Sequence, residues 1–307
     1  MFDLKTLWQD RFQAFLRLFL RYMRLIGNSG FLFSLFLLII FGSYYYSLFI
    51  RHIPASFPVF FVMAVTLTVF LARSPIRTFL KRADLVFLIA AEARMKPYFM
   101  LSVLYNFIVQ AFVVLLVAIV LAPLYESRID DDAYSYSALI ALFILVKLWN
   151  IIVHWFVLRL QMDRDVASYT GLRTAASFAL VYLALKGASS VYLLALAIIV
   201  IVFLLYVYFS FPKQHLLKWE RLVEIDEALL LRFYRIVNAF TDVPALKQKV
   251  KRRRWAEPLA KLVLYRNRSV PLFLYARAFF RAGDYFGIYV RLLVLGALVL
   301  TVIPAHG

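Results

Sequence analysis

The chain has 307 residues, of which 64% are hydrophobic and 17% charged, and its formal net charge is +18. Soluble domains contain roughly 45–50% apolar and about 25% charged residues, so this composition excludes an ordinary soluble protein and predicts an integral membrane protein. The absence of cysteine excludes disulfides, thiol catalysis and zinc–thiolate sites.

Residues 1–30 open the chain with a basic amphipathic stretch. Apolar residues such as Leu4, Trp8 and Phe15 recur on one side at helical spacing. Another face carries three arginines, Arg17, Arg21 and Arg24. A helix of this kind lies in the membrane interface with its cations at the lipid headgroups. We therefore predict an interfacial helix that binds anionic lipid.

Seven stretches are apolar enough to be considered as membrane spans. They are Phe31–Ile50, Phe57–Ala72, Phe99–Ala122, Tyr136–Leu158, Leu172–Lys186, Ser190–Phe211 and Ile288–Ile303. The second and fifth are short, and the last stops close to the end of the sequence. Because a spanning helix needs about 20 apolar residues, we predict an all-α, polytopic membrane protein with about 6–7 transmembrane helices.

The distribution of Lys and Arg predicts which side each connection faces. If the N-terminus is cytoplasmic, the three short cytoplasmic segments hold five, six and three of these residues, whereas the outer segments hold three in total. Short cytoplasmic loops of membrane proteins carry an excess of Lys and Arg. We therefore predict a multi-pass protein with a cytoplasmic N-terminus.

The predicted organisation is one membrane domain with cytoplasmic helices. Residues 31–211 form the transmembrane domain, with a cytoplasmic loop at 73–98. Residues 212–287 form a cytoplasmic helical and basic segment, in which His215–Phe240 has helical periodicity. Residues 288–307 form the last transmembrane helix.

A basic run, KQKVKRRRW, lies within the segment 212–287. It contains Lys251, Arg252, Arg253 and Arg254. Such a run beside a membrane most often contacts anionic lipid. Nucleic-acid binding is the alternative, but no recognised nucleic-acid module surrounds the run, so we predict lipid headgroups and no nucleic acid.

The loop between the second and third spans, RSPIRTFLKRADLVFLIAAEARMKPYF, combines many charges with an apolar run at Leu85–Ala91. Ser74 and Pro75 are typical of a helix start, and Pro97 is typical of a stop. Asp84 can begin a second helix. We therefore predict two helices separated by a break, with an apolar run that is buried on protein, in the interface or on a partner.

Two polar stripes lie inside predicted spans. One consists of Lys147, Asn150 and His154 in the fourth span, and the other contains Asn106 and Gln110 in the third. Polar residues inside a membrane are costly, and they mark either a translocation path or hydrogen bonds between helices. All five are candidates for a translocation path; hydrogen bonding is the favoured interpretation for Asn106 and Gln110, and the path for Lys147.

Motifs for chemistry are absent from the sequence. The four histidines lie far apart without metal-ligand spacing, and neither a GxxxxGK[ST] nor a GxGxxG motif occurs. We predict no metal site, no catalytic residue and no nucleotide bound by either motif. Two alternatives stay open: a lipid-modifying membrane enzyme with Lys147 and His154 as acid–base groups, and a non-catalytic scaffold that binds a partner or anionic lipid.

The loop closely resembles the corresponding stretch of the Ecs-type ABC transporter permease family (EcsB), above all in SPIRTFL…ADLVFL and in E-x-x-M-x-x-Y-F. The basic N-terminus, the order of apolar segments and the long basic segment after span six are also similar, so the resemblance covers essentially the whole chain. It implies a multi-pass permease of the bacterial plasma membrane, of exporter type and associated with protein and peptide secretion. Family members continue with further apolar segments, so we expect a version shortened at its C-terminus.

The resemblance also implies partners and a role for the loop. It implies a homodimer that works with two separate ATPase subunits, which hold the ATP and Mg, so that no cofactor is bound on this chain. The substrate would be a peptide, a lipid or another amphipathic molecule. The candidate ATPase-coupling residues are Arg77, Lys81, Arg82, Asp84, Phe87, Leu88 and Glu92.

Within this loop, Asp84 and Glu92 are expected to pair with basic residues of the ATPase. Phe87 or Leu88 is expected to insert into a groove on its surface. The alternative is an interfacial helix that only anchors the second and third spans. The importer docking motif, EAA followed by a spaced glycine, is absent, which favours an exporter-type contact.

Overall fold

A computed structural model describes residues 3–27, 31–54, 56–128, 134–160, 163–214 and 217–238, together with residue 275. Across these ranges the chain folds into α-helices and one short 3₁₀ helix, Ile89–Arg94. The α-helices are α1 (Leu4–Gly27), α2 (Phe31–His52), α3 (Val59–Ala72), α4 (Asp84–Phe87), α5 (Lys96–Glu126), α6 (Tyr136–Val157), α7 (Asp163–Leu185), α8 (Ser190–Gln214) and α9 (Trp219–Val237).

The chain divides into two units, Met1–Thr241 and Asp242–Gly307. All the described residues except Tyr275 belong to the first unit. The basic run at 251–254 and the predicted last span, Ile288–Ile303, lie outside the described residues. The predicted domain boundaries therefore stay a prediction.

In the described part of the chain, α2, α5 and α6 are long and apolar enough to cross a membrane, judged by length and composition. Shorter apolar helices are Val59–Ala72, which is α3, and Val191–Tyr206 within α8. The predicted all-α membrane fold is confirmed. The fifth predicted span differs from the prediction, because α7 starts at Asp163, nine positions before Leu172.

Two separate apolar clusters hold the helices together. The larger one joins α3, α5, α6, α7 and α8 and includes the fully buried Met63, Leu67 and Phe143. The smaller one gathers residues of α1, α5, α6, α9 and the loop between α3 and α5, with Trp8 and Trp219 among its buried members. Close packing of such side chains stabilises helices that exchange lipid for protein contacts, and removal of apolar surface from water adds to this where the helices lie in water.

α5 connects the two clusters. Its 31 residues extend about 46 Å, whereas the hydrocarbon core of a bilayer is about 30 Å thick. One end must therefore project beyond the apolar span. The smaller cluster packs around the first turns of α5, at Tyr98 and Phe99. We expect this to be the projecting end, because the charged Lys96 begins the helix.

The structure corrects the prediction for the loop. No helix begins at Ser74 and Pro75: residues 73–81, here called the extended segment, are non-helical and largely buried. Residues 82–95, here called the helical segment, contain α4, which does begin at Asp84, and the 3₁₀ helix. Pro97 does not end a helix but lies in the first turn of α5, where its missing N–H leaves no helical bond unmade.

Candidate functional site

The extended segment is held by side chains of α5. The Arg77 backbone N–H donates to Asn106 Oδ1 (3.0 Å), and Asn106 Nδ2 donates to the Arg77 carbonyl (2.8 Å). Gln110 Nε2 donates to the Pro75 carbonyl (2.7 Å). Because these side chains satisfy backbone groups that a helix would pair internally, the segment can stay extended while buried. The polar stripe of α5 thus binds the loop rather than another spanning helix.

α9 holds the same segment from another side through Asp226, whose side chain is almost fully buried. Its carboxylate accepts hydrogen bonds from the Thr78 backbone N–H (3.0 Å), the Thr78 hydroxyl and the Leu80 N–H (3.3 Å). Arg77 Nε lies 3.8 Å from Asp226 Oδ1. Burial raises the pKa of Asp226, while the hydrogen bonds from Thr78 and the charge of Arg77 act in the opposite direction.

Phe79, between the two residues that Asp226 binds, has φ = 60°. This left-handed conformation is uncommon for a bulky side chain and must be maintained by surrounding contacts. The Phe79 ring is buried against the rings of Trp8 and Tyr105, with centroid distances of 5.8 and 5.3 Å. Its carbonyl accepts a hydrogen bond from Arg11 Nη1 (3.2 Å).

Arg11 of α1 also binds the first residue of α4. Its Nη1 and Nη2 each lie 2.7 Å from a carboxylate oxygen of Asp84, and the Lys81 backbone N–H donates to the same carboxylate (2.7 Å). Both Asp84 oxygens are therefore used within the chain. The expectation that Asp84 pairs with a basic residue of a partner is corrected, because the side chain is buried and already neutralised.

Two other charged residues of the helical segment, Arg82 and Glu92, contact α9. Arg82 forms a two-pronged, solvent-exposed pair with Glu227 (2.6 and 2.7 Å), and this pair lowers the pKa of Glu227. Glu92 accepts a hydrogen bond from Trp219 Nε1 (2.8 Å). Glu92 is thus also engaged inside the chain, whereas Lys81 is exposed.

The helical segment exposes an apolar surface on its far side. Val86 is 73%, Phe87 78% and Ile89 47% exposed; we call these three residues the apolar tip. Leu88, by contrast, is half-buried against the smaller cluster. Of the two residues predicted to insert into a partner, the structure presents Phe87 and turns Leu88 inward.

A groove adjoins the apolar tip. It encloses a cavity of about 680 Å³ between the helical segment and the start of α9, and Ile89 belongs both to the groove and to the tip. Its wall combines apolar and charged side chains, among them Leu85, Ile89, Leu217, Trp219, Arg221 and Glu224. Together the tip and the groove form a surface with an apolar centre and a charged rim, as protein interfaces commonly have.

Lys147, the leading candidate for a translocation path, caps a helix instead. It is 1% exposed, and its Nζ donates to the carbonyls of Phe70 and Arg73 (2.9 Å each) and to the Ser74 hydroxyl (3.1 Å). The carbonyls at the C-terminus of a helix lack partners and carry partial negative charge, so a cation there is favourable. Lys147 therefore fastens the end of α3 to α6.

Asn150 and Arg173 continue this attachment. Arg173 Nη1 donates to the Asn150 carbonyl (2.7 Å) and Nη2 to the Ala72 carbonyl (2.8 Å), while Asn150 Nδ2 donates to the Ser177 hydroxyl (2.8 Å). His154 lies one turn further along α6 and is half-buried. The side chains of Lys147 and Asn150 are buried and bonded to protein, and a translocation path at these residues stays a prediction.

The N-terminal helix needs a partial correction as well. Its predicted lipid-facing side, which includes Trp8 and Phe15, packs on protein: Trp8 Nε1 donates to Ser102 (2.9 Å), and the Phe15 ring contacts Phe233 of α9 (6.1 Å between centroids). Arg17, Arg21 and Arg24 are exposed, as expected for residues that contact lipid headgroups. An exposed apolar stripe of Leu16, Leu20 and Met23 lies between these two faces.

Sequence reasoning missed the residues that organise the loop. Arg11, Arg173, Trp219 and Asp226 were not among the candidates. A usable signal existed for two of them: Arg11 and Asp226 are charged residues at positions that turn towards the apolar face of an amphipathic helix. A charge in that place is costly unless it is paired, so it indicates a partner elsewhere in the chain.

Comparison with known proteins agrees with the resemblance. A family model described as "Bacterial ABC transporter protein EcsB" matches residues 5–306. A curated relative, "Protein EcsB" of Bacillus subtilis (strain 168), is 36% identical over 308 residues, which cover 99% of this chain and 74% of the relative. The chain belongs to the EcsB family. No solved structure matches it.

Membership in the EcsB family makes this chain a membrane component of an ABC transporter. In this family of transporters an ATPase partner is implied. The roles of individual residues are not decided by family membership. They depend on the geometry of the loop, the apolar tip and the groove.

Proposed function

We propose that this chain is the permease subunit of an exporter-type ABC transporter of the bacterial plasma membrane, and that a separate ATPase subunit docks on the apolar tip. The ATPase would hold the ATP and Mg. The observation that carries this proposal is the exposure of Val86 and Phe87, at 73% and 78%. The segment that carries them is anchored to α1 through Asp84 and to α9 through Arg82 and Glu92. Exposed apolar residues on an ordered support mark an interaction site.

The position of the tip supports a cytoplasmic partner. The loop at 73–98 has six Lys and Arg residues, which favour the cytoplasmic side together with a cytoplasmic N-terminus. The tip lies near the projecting end of α5, beyond the length that the hydrocarbon core can cover. In water, the Phe87 side chain is best buried against the surface of another protein.

The route by which ATP-driven motion would reach the spanning helices follows from the contacts. The helical segment continues into α5 at one end and into the extended segment at the other. The extended segment leads to α3, whose last turn is bound by Lys147 and Arg173. A displacement of the apolar tip would thus reach α5 directly, and it would reach α6 and α7 through α3, because Lys147 and Arg173 fasten the end of α3 to these helices.

The proposed transporter is a homodimer with two ATPase subunits, and it moves a peptide, a lipid or another amphipathic molecule. Anionic lipids would contact Arg17, Arg21 and Arg24. The competing proposal is a non-catalytic scaffold, in which the apolar tip inserts into the lipid interface. A hydrophobic tip beside basic residues is also compatible with that role.

The test is co-purification. The full chain is expressed together with a candidate phosphate-loop ATPase of an ABC transporter from the same genome, and the complex is isolated in mild detergent and reconstituted into vesicles. The proposal predicts a stoichiometric complex in which the permease changes the rate of ATP hydrolysis. Failure of the ATPase to bind, with the tip protected by lipid instead, would support the scaffold.

A further inference from the structure

We propose that Asp226 is the positioning residue of the ATPase-docking segment, and that α9 is the arm that carries the movement of this segment to α8. The inference rests on the proposed function, since it takes the helical segment as the ATPase contact. This route is additional to the one through α3 and α5. It uses a helix that begins more than 130 positions after the start of α4.

Asp226 holds the extended segment in place through hydrogen bonds. One carboxylate accepts the N–H groups of Thr78 and Leu80 and the Thr78 hydroxyl. These N–H groups flank Phe79, whose φ of 60° turns the backbone so that both face one anion. A concave arrangement of backbone N–H groups binds anions, and here α9 supplies the anion.

α9 also contacts the helical segment on both sides of α4. Glu227 binds Arg82, which precedes α4, and Trp219 binds Glu92, which follows it. Asp226, Glu227 and Trp219 thus surround the base of the apolar tip while the tip itself stays exposed. The tip cannot move far unless α9 moves with it or these contacts break.

α9 is connected to the membrane domain through α8. Trp219 follows Gln214, the last residue of α8, by five positions in the sequence. α8 packs in the larger apolar cluster, with Val200 among its buried residues. We expect a displacement of α9 to reach α8, because only four positions separate the two helices in the sequence. This route is separate from the one through α3.

The chain contains no cysteine, so a single introduced cysteine can be labelled without background. We choose Ala90→Cys, which is exposed and lies beside the tip, and attach a spin label in the reconstituted full chain. The variants are Asp226→Ala, which removes both acceptor oxygens, and Asp226→Asn, which keeps one. Arg232→Gln is the matched control, because Arg232 is an exposed charge on the same helix.

Asp226→Ala is expected to increase the mobility of the label. If the docking conformation falls to about one tenth of the population, the apparent affinity for the ATPase falls about tenfold. Asp226→Asn should be intermediate, and Arg232→Gln should stay close to wild type. Unchanged mobility and affinity in Asp226→Ala, or an equal loss in Arg232→Gln, overturns the positioning role.

A separate measurement tests whether movement of α9 reaches α8. Val191→Cys reports on α8, where Val191 is 67% exposed. With saturating ATPase, its labelling rate is expected to change on ATP addition in wild type and to stay constant in Asp226→Ala. An ATP response in both excludes transmission through α9. If Asp226→Ala does not fold, Asp226→Asn and Thr78→Val take its place.

The two proposals fail separately. If the wild-type chain does not bind the ATPase, the proposed function fails, but the label at position 90 still tests whether Asp226 orders the segment. If the ATPase binds and the mobility at position 90 does not depend on Asp226, the proposed function stands and the positioning role of Asp226 is wrong.

Discussion

Arg11 and Asp84, 73 positions apart in the sequence, form a two-pronged ion pair with both N–O distances at 2.7 Å. The pair joins the N-terminal helix to the first residue of α4, and its side chains are 13% and 7% exposed. It places α1 in the support of the apolar tip, in addition to any contact of α1 with lipid.

We expect Asp84→Asn to lower the free energy of unfolding by about 3 kcal/mol, because removing one partner of a buried ion pair leaves the other charge uncompensated. The double variant Arg11→Met/Asp84→Asn should recover part of this loss. The measurement is denaturant unfolding in detergent, arranged as a double-mutant cycle. A double variant that loses the full sum of the two single effects would show that the pair is not coupled.

Lys147→Met is expected to lower the unfolding free energy by about 1–3 kcal/mol, since the carbonyls at the end of α3 lose their donor. Lys186→Met is the matched control, because Lys186 is exposed at the end of α7. Thermal unfolding in nanodiscs compares the two. If Lys147→Met abolishes transport while its stability equals that of the control, Lys147 belongs to the substrate path after all.

Phe87→Ala is expected to weaken ATPase binding by about tenfold or more, as truncation of an aromatic anchor commonly does, without changing stability. Phe61→Ala is the control: Phe61 is 49% exposed on α3, away from the loop. Titration of the ATPase by surface plasmon resonance measures both affinities. Equal affinities for the two variants would remove Phe87 from the interface.

The pKa of Asp226 predicts how the free energy of unfolding changes with pH. Burial raises its pKa above the ordinary 3.8, so the folded protein holds the proton more tightly than the unfolded chain. The resulting contribution to stability is fully present below the unfolded pKa and is lost as the pH rises through the folded pKa. The unfolding free energy of wild type minus that of Asp226→Asn should therefore fall as the pH rises from about 4. A difference that rises with pH would mean that the hydrogen bonds from Thr78 outweigh burial.

The triple variant Arg17→Gln/Arg21→Gln/Arg24→Gln is expected to lose most bound anionic lipid, because each cation near the headgroups contributes about 1 kcal/mol. Native mass spectrometry of the purified chain counts the retained phosphatidylglycerol. The three arginines are exposed, so the fold should be kept. Undiminished lipid binding would assign the headgroup contact to other cations.

The sequence predicted well what depends on local composition. Long apolar runs identified α2, α5 and α6, and the amphipathic pattern of His215–Phe240 identified α9. The start of α4 at Asp84 and the family were also predicted correctly. These features are encoded within a few turns of chain, where periodicity and capping residues are informative.

The course of the loop could not be predicted in the same way. Ser74 and Pro75 have the local chemistry of a helix start, yet the backbone beside them is paired by Asn106, Gln110 and Asp226. These partners lie from 29 to 148 positions away in the sequence. Tertiary hydrogen bonds of this kind override local preference, and a single sequence does not show which distant residue supplies them. For the same reason, the sequence indicated that Lys147 is a costly buried cation but did not show that its partner is the end of α3. The prediction was a translocation path.

The proposed function requires that the ATPase covers the apolar tip. The most direct test replaces Phe87 with a photo-crosslinking benzoylphenylalanine and illuminates membranes that contain the full chain and the ATPase. Phe61, exposed on α3, carries the same probe in a parallel sample. We predict a covalent adduct with the ATPase from position 87 and none from position 61. An adduct with lipid alone at position 87, in membranes where the two proteins still co-purify, would contradict the claim.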